Sequence, residues 1–172
     1  MNQSVKDSSI KTLCLTAVLA ALIFVLTYLP KIPIPLGYAH LGDAAIFLTV
    51  LFANKRNSAL AASIGSALAD LIGGFPIWII PTLIIKWIMV EIVFRVIRPE
   101  EGPWHVQSGQ TILAFTLSSL WMAAAYTVAG GLLYGSMGAA LASTPGLVME
   151  GVINSVVAIV AGAVLQKTGI QK

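Results

Sequence analysis

The chain has 172 residues, of which 58% are hydrophobic and only 10% charged, with a mean hydropathy of +0.90. Soluble domains carry about a quarter charged residues, so water is not this chain's main solvent. The net charge of +3 is the balance of ten basic and seven acidic residues, and the basic ones are scattered in ones and twos, which excludes a phosphate-tracking stripe and nucleic acid as a partner. The single cysteine, Cys14, excludes an internal disulfide or a cysteine-based zinc site and reads as a small packing residue.

In chain order, the polar residues 1–11 lead into an apolar run at 12–29. That run is too long for a signal-peptide core and has no small-x-small cleavage site before Pro30, so it is expected to stay as a first helix. A helix needs about 20 apolar residues to cross the roughly 30 Å hydrocarbon layer. Further runs follow at 41–53, 58–74, 79–97, 109–128 and 145–166, making six. The second is the weakest, short and with Asp43 inside it, and reads as either a half-helix or a full span. The breaks fall at Pro and Gly: an extended connection at 31–37, a tight polar turn at 54–57, a turn at 73–76 and a polar loop at 98–108. The apolar, glycine-rich stretch 129–144 is expected to extend the fifth helix and add a short membrane-level segment.

These elements predict an all-α fold: a single domain over 1–172 forming a bundle of six transmembrane helices. Basic residues stay on the cytoplasmic side of short loops. Lys6, Lys11, Lys55, Arg56, Arg95, Arg98, Lys167 and Lys172 mark alternate connections and both tails, and only Lys31 falls on the other side. Both termini are therefore expected to be cytoplasmic, with the protein in a bacterial cytoplasmic membrane.

Ionisable side chains at membrane depth are costly, and they face a bundle interior or a wet cavity. Asp43, Asp70, Lys86, Glu91 and Glu150 lie inside the apolar runs, and all but Glu91 fall in the outer half of the membrane. This clustering predicts an outward-facing polar pocket in which Lys86 neutralises one carboxylate and another stays free for a ligand. Glu150 and Asn154, four apart, would share a helix face and offer an acceptor and an amide. Trp78, Trp121, Tyr126, Phe75 and Tyr38, with His40 beside them, would supply flat walls for a small aromatic ligand. For Asp43 and Asp70, near helix ends, capping or loop pairing weighs equally; Trp78 and Tyr126 also fit as interfacial anchors. Glu91 is expected to pair with Arg95 along its helix, and Trp87, Trp104 and His105 to face lipid, interface or solvent. Ala17 and Ala21 form a smooth strip on the first helix suited to an external helix, whereas the like strip of Gly65, Ala69 and Gly73 on the third suits packing within the chain.

No Ser/His pair suited to intramembrane hydrolysis occurs, and no phosphate loop that would let the chain drive transport itself. No catalytic residue, cofactor or metal is expected. The helix 1 pattern Ala17-x-x-x-Ala21, the block His40-Leu-Gly-Asp43, the run Gly65-Ser-Ala-Leu-Ala-Asp70-Leu71 and the run Pro81-Thr-Leu-Ile-Ile-Lys86 resemble the substrate-binding S components of energy-coupling factor (ECF) vitamin transporters. The block is similar to one subgroup, associated with hydroxymethylpyrimidine, a thiamine precursor, or with pyridoxine-type vitamins. The resemblance implies a subunit that captures vitamin from outside, docked through Ala17 and Ala21 on a transmembrane coupling subunit and powered by two ATP-binding cassette ATPases. It places the pocket among helices 4 to 6 and the loop after helix 1. Hydroxymethylpyrimidine is the first choice of ligand, then pyridoxine, then pantothenate. The rival readings are a stand-alone ion-coupled carrier using Glu91 or Glu150 as a proton site, and a structural membrane subunit.

Overall fold

A computed structural model describes residues 3–169, with side chains from residue 9 onward. Lys172 and the side chain of Lys6, used above for topology, lie outside the described residues. The elements in order are α1 (Gln3–Tyr28), the strands β1 (Ile32–Ile34) and β2 (Gly37–Ala39), α2 (Gly42–Leu48), α3 (Lys55–Gly73), α4 (Ile79–Ile97), α5 (Gly109–Leu133) and α6 (Met137–Lys167). Single 3₁₀ turns at Thr49–Leu51 and Pro76–Trp78 prolong α2 and lead into α4.

Among the described residues, four segments are long and apolar enough to cross a membrane: Ser9–Tyr28, Pro76–Ile97, Gly109–Leu133 and Met137–Lys167. The 19 residues of α3 give about 28 Å at 1.5 Å per residue, but its Ser and Asp positions lower its hydropathy. α2 is too short to span as a helix, which corrects the expectation of six helical crossings. It survives because the bundle encloses it, with Gly42 through Phe47 all buried. Two further expectations change. The 31–37 connection is half of an antiparallel hairpin, pairing Ile32 with Ala39 and Ile34 with Gly37, so the fold is nearly all-α. The segment expected between helices 5 and 6 is instead the first turns of α6, which runs on through Pro145.

Local chemistry sets the boundaries. Asn54 Oδ1 accepts the Asn57 N–H at the start of α3, and the Ser108 and Ser136 hydroxyls do the same for α5 and α6. Gly74, at φ 85°, closes α3 in the left-handed conformation that a side chain resists.

The helices close a ring: α1 packs on α3, α3 on α4, α4 on α5, α5 on α6, and α2 bridges α6 back to α1. The α1–α3 crossing is tight, since a Cβ on Gly65 would run into the Ala20 carbonyl. Inside the ring, Phe47 stacks on Phe115 at 4.4 Å among Ile46, Met89 and Met122. Outside, large apolar side chains such as Val18, Ile80, Leu120, Leu132 and Val160 are exposed, as a lipid-facing surface requires. Cys14 is exposed on α1 rather than packed.

Candidate functional site

The charged residues that the sequence scatters over four helices meet at the end of the ring covered by the hairpin. Asp70, in the last turn of α3, has both oxygens engaged. Tyr38 Oη donates to Oδ1 at 3.2 Å, and Thr82 Oγ1 donates to Oδ2 at 2.6 Å. Because Thr82 uses its one hydrogen there, Tyr126 Oη, 2.9 Å away, donates to the threonine. Burial, with the Asp70 charge next, pushes the Tyr38 phenol well above its ordinary pKa, so it remains a donor. Lys31 Nζ lies over the Tyr28 and Tyr38 rings, 4.2 and 4.5 Å from their centroids.

Beneath this, Lys86 Nζ contacts Asp43 Oδ1 between side chains that are each 1% exposed. The expected neutralisation by Lys86 therefore falls on Asp43. Asp43 Oδ2 is buried with no hydrogen-bond partner.

Asn154 ties the layer together. Its Oδ1 accepts the Ala44 N–H at 2.8 Å, and its Nδ2 donates to the carbonyls of His40 at 2.7 Å and Glu150 at 2.8 Å. All three bonds are to backbone, so Asn154 holds the turn that presents His40 rather than offering an amide to a ligand. Glu150 Oε1 sits 3.1 Å from His40 Nδ1. Burial, then the nearby Lys86 charge, pushes the His40 pKa down to about 3, which keeps the imidazole neutral.

Above these residues lies a cavity of about 60 Å³, with Ile34, Leu36, Gly37 and Tyr38 of the hairpin on one side. Phe75, Trp78 and Tyr126 face them, α6 adds Ser143, Leu147 and Glu150, and His40 and Asp70 complete the lining. Seven of the eleven expected pocket residues line it: Tyr38, His40, Asp70, Phe75, Trp78, Tyr126 and Glu150. Lys86, Asp43 and Asn154 form the buried layer beneath. Trp121 is turned away, its indole Nε1 donating to the Ile85 carbonyl at 3.2 Å. Glu91 pairs with Arg95 at 2.9 Å and also with Lys55 at 3.2 Å, at the opposite end of the ring. Ala17 and Ala21 are exposed on α1, beside the Ala20 that meets Gly65.

Thr82, Ser143 and Lys31 were not expected at the site. Thr82 precedes Lys86 by one helical turn, a spacing that places both on the pocket face of α4. Ser143 Oγ accepts the Leu36 N–H at 3.0 Å and fastens the hairpin to α6, a long-range contact with no local signal. His40, Asp43 and Glu150 bring ligand atoms within 4.8 Å of one another, a span that would suit one ion. The Lys86 ammonium already sits on Asp43 of this cluster. The cation of this cluster is a lysine.

A small pocket with aromatic walls, carboxylates and a charge-neutralising lysine beneath fits capture of a small polar ring. The family model for the S component of the ECF-type riboflavin transporter matches residues 7–167. The chain belongs to this S-component family. A curated relative of this S component, the thiamine precursor transporter HmpT of Lactococcus lactis subsp. cremoris, is 31% identical over 95% of this chain and 93% of its own length. An uncharacterised protein of Pyrococcus woesei is 34% identical over 67% of the chain and 75% of its own length. As a member of this family the chain is a multi-pass membrane transport subunit that works with other ECF components on a small molecule.

Proposed function

We propose that this S component captures hydroxymethylpyrimidine, or a closely related heteroaromatic vitamin precursor, from outside the cell and delivers it through a coupling subunit and two ATP-binding cassette ATPases. The observation that carries the reading is the lining itself: Trp78, Tyr126 and Tyr38 surround a space that has the Glu150 carboxyl at one side. Such a space suits one flat ring with amino and hydroxyl groups. At about 60 Å³ it is far below the roughly 300 Å³ of common ligand pockets, which disfavours a three-ring flavin and requires the hairpin to give way as ligand enters. The similarity to a transporter named for a thiamine precursor supports the same class.

The topology follows from the basic residues. Lys55, Arg95 and Arg98 gather at the end of the ring opposite the cavity, so the pocket opens outward and both termini are cytoplasmic. The stretch 42–54 completes the crossing as a short helix, a 3₁₀ turn and extended chain. Ala17 and Ala21 form the docking strip for the coupling subunit.

Mass spectrometry of ligand released from the purified protein, followed by calorimetric titration with hydroxymethylpyrimidine, pyridoxine, pantothenate and riboflavin, tests the substrate. Tighter binding of riboflavin than of any single-ring compound would overturn the reading. Uptake by the chain alone in liposomes under an ion gradient would replace it with a stand-alone carrier.

A further inference from the structure

Two acceptors in the pocket lining face each other. His40 Nδ1 accepts the Gly42 N–H at 3.1 Å, so this nitrogen carries a lone pair and no hydrogen. Glu150 Oε1 lies 3.1 Å from the same nitrogen and is buried without a hydrogen-bond partner. A carboxylate oxygen and an imidazole lone pair repel at that distance unless a hydrogen lies between them. The burial that holds the His40 pKa near 3 places that hydrogen on the carboxyl rather than on the imidazole.

The groups around Glu150 leave it no counter-charge of its own. Lys86 on α4 is engaged by Asp43 on α2, whose second oxygen adds unpartnered negative charge. Tyr38 on β2 and Tyr126 on α5 are phenols tied into the Asp70 network of α3, and Lys31 lies over the rings of Tyr28 and Tyr38.

We infer that Glu150 is a proton-binding site in the pocket lining: in the empty protein it is a neutral acid whose Oε1–H shares the His40 Nδ1 lone pair with the Gly42 N–H. The Asp43–Lys86 pair, His40 and Glu150 are then together uncharged, which removes the cost of a lone buried carboxylate. The tautomer of His40 follows. Its hydrogen is on Nε2, which makes no hydrogen bond to the protein among the described residues and is left as a donor for a ring nitrogen or hydroxyl in the pocket. The site is complete without any ligand, so its test is independent of the substrate.

Infrared difference spectroscopy of the purified, ligand-free full-length protein reads it directly, because a protonated carboxyl has a C=O stretch that a carboxylate lacks. The expected result is a buried-carboxyl band at neutral pH that is lost in Glu150→Gln and kept in Asp70→Asn. A spectrum with no such band, or one that survives Glu150→Gln, overturns the proposal. Loss of the band on adding Na⁺ at constant ionic strength would also overturn it, since a metal ion would then hold the site. A second measurement needs no change at the site: ¹⁵N NMR of labelled histidine, assigned with His105→Gln, should show His40 neutral and protonated on Nε2. Protonation on Nδ1 or an imidazolium at neutral pH would sink it.

Discussion

Lys86 and Asp43, 43 residues apart in sequence, form an ion pair with both side chains 1% exposed, and this pair organises the charge of the buried layer. Removing one partner strands the other in a low-dielectric interior, at a cost of about 3–5 kcal/mol, whereas removing both relieves the desolvation of each. Lys86→Met should therefore lower thermal stability sharply, and Lys86→Met with Asp43→Asn should recover most of it. Melting temperatures in detergent decide this. A double variant no more stable than Lys86→Met would show that the charges do not act as a pair.

Asn154 makes a different kind of claim, since it touches three backbone groups and no charge. Asn154→Ala leaves the Ala44 N–H and the carbonyls of His40 and Glu150 without this partner. Each unsatisfied buried group costs about 1–3 kcal/mol, so the variant should be destabilised by several kcal/mol and the turn carrying His40 loosened. Ligand binding should weaken along with it. A stable Asn154→Ala that has lost only affinity would instead make Asn154 a direct ligand contact.

The sequence carried the site's composition better than its wiring. Basic residues and apolar runs placed Asp43, Asp70, Lys86 and Glu150 at one level, because membrane depth is one-dimensional and countable. Which carboxylate takes Lys86 depends on helix rotation and on where α2 sits in the ring, and no local pattern encodes either. The same limit explains Trp121, whose aromatic character fitted a pocket wall while its helix face points its indole at the Ile85 carbonyl. α2 was the least readable element. Its burial on all sides removes the amphipathic period that would have marked its true length.

His40, its side chain 9% exposed, links stability to pH. Its folded pKa, near 3, lies below the 6.5 of an exposed histidine, so the unfolded chain binds more protons between these values. The contribution is complete above about pH 6.5 and is lost as pH falls toward 3, by at most about 1.4 kcal/mol per pH unit. His40→Asn, whose side-chain oxygen can accept the Gly42 N–H, should flatten the melting-temperature profile between pH 6.5 and 5. An unchanged slope in that variant would assign the dependence to other groups.

Gly65 and Ala17 lie on the same helix pair layer but should separate folding from coupling. A Cβ at Gly65 meets backbone of α1, so Gly65→Val should prevent the α1–α3 crossing and destabilise the isolated protein. Ala17 is exposed, and Ala17→Trp or Ala21→Trp should leave folding and ligand binding intact while abolishing uptake in cells. Normal uptake with tryptophan at both alanines would remove this strip as the docking surface.

Glu150→Gln tests the pocket's acidic group. A glutamine amide can donate to His40 Nδ1 as a protonated carboxyl does, so this variant should fold with nearly unchanged melting temperature, in contrast to Lys86→Met. What the amide lacks is the ability to give up a proton and become an anion against a donor-rich ring. A hydrogen bond to a charged group contributes about 1.5–3 kcal/mol, so hydroxymethylpyrimidine should bind about ten- to a hundredfold more weakly. Titration calorimetry of the two proteins at one pH measures the difference. A folded Glu150→Gln protein that binds as tightly as the parent would mean that the ligand meets Glu150 as a neutral acid or does not touch it. The recognition would then rest on His40 Nε2, Tyr38 and the aromatic walls.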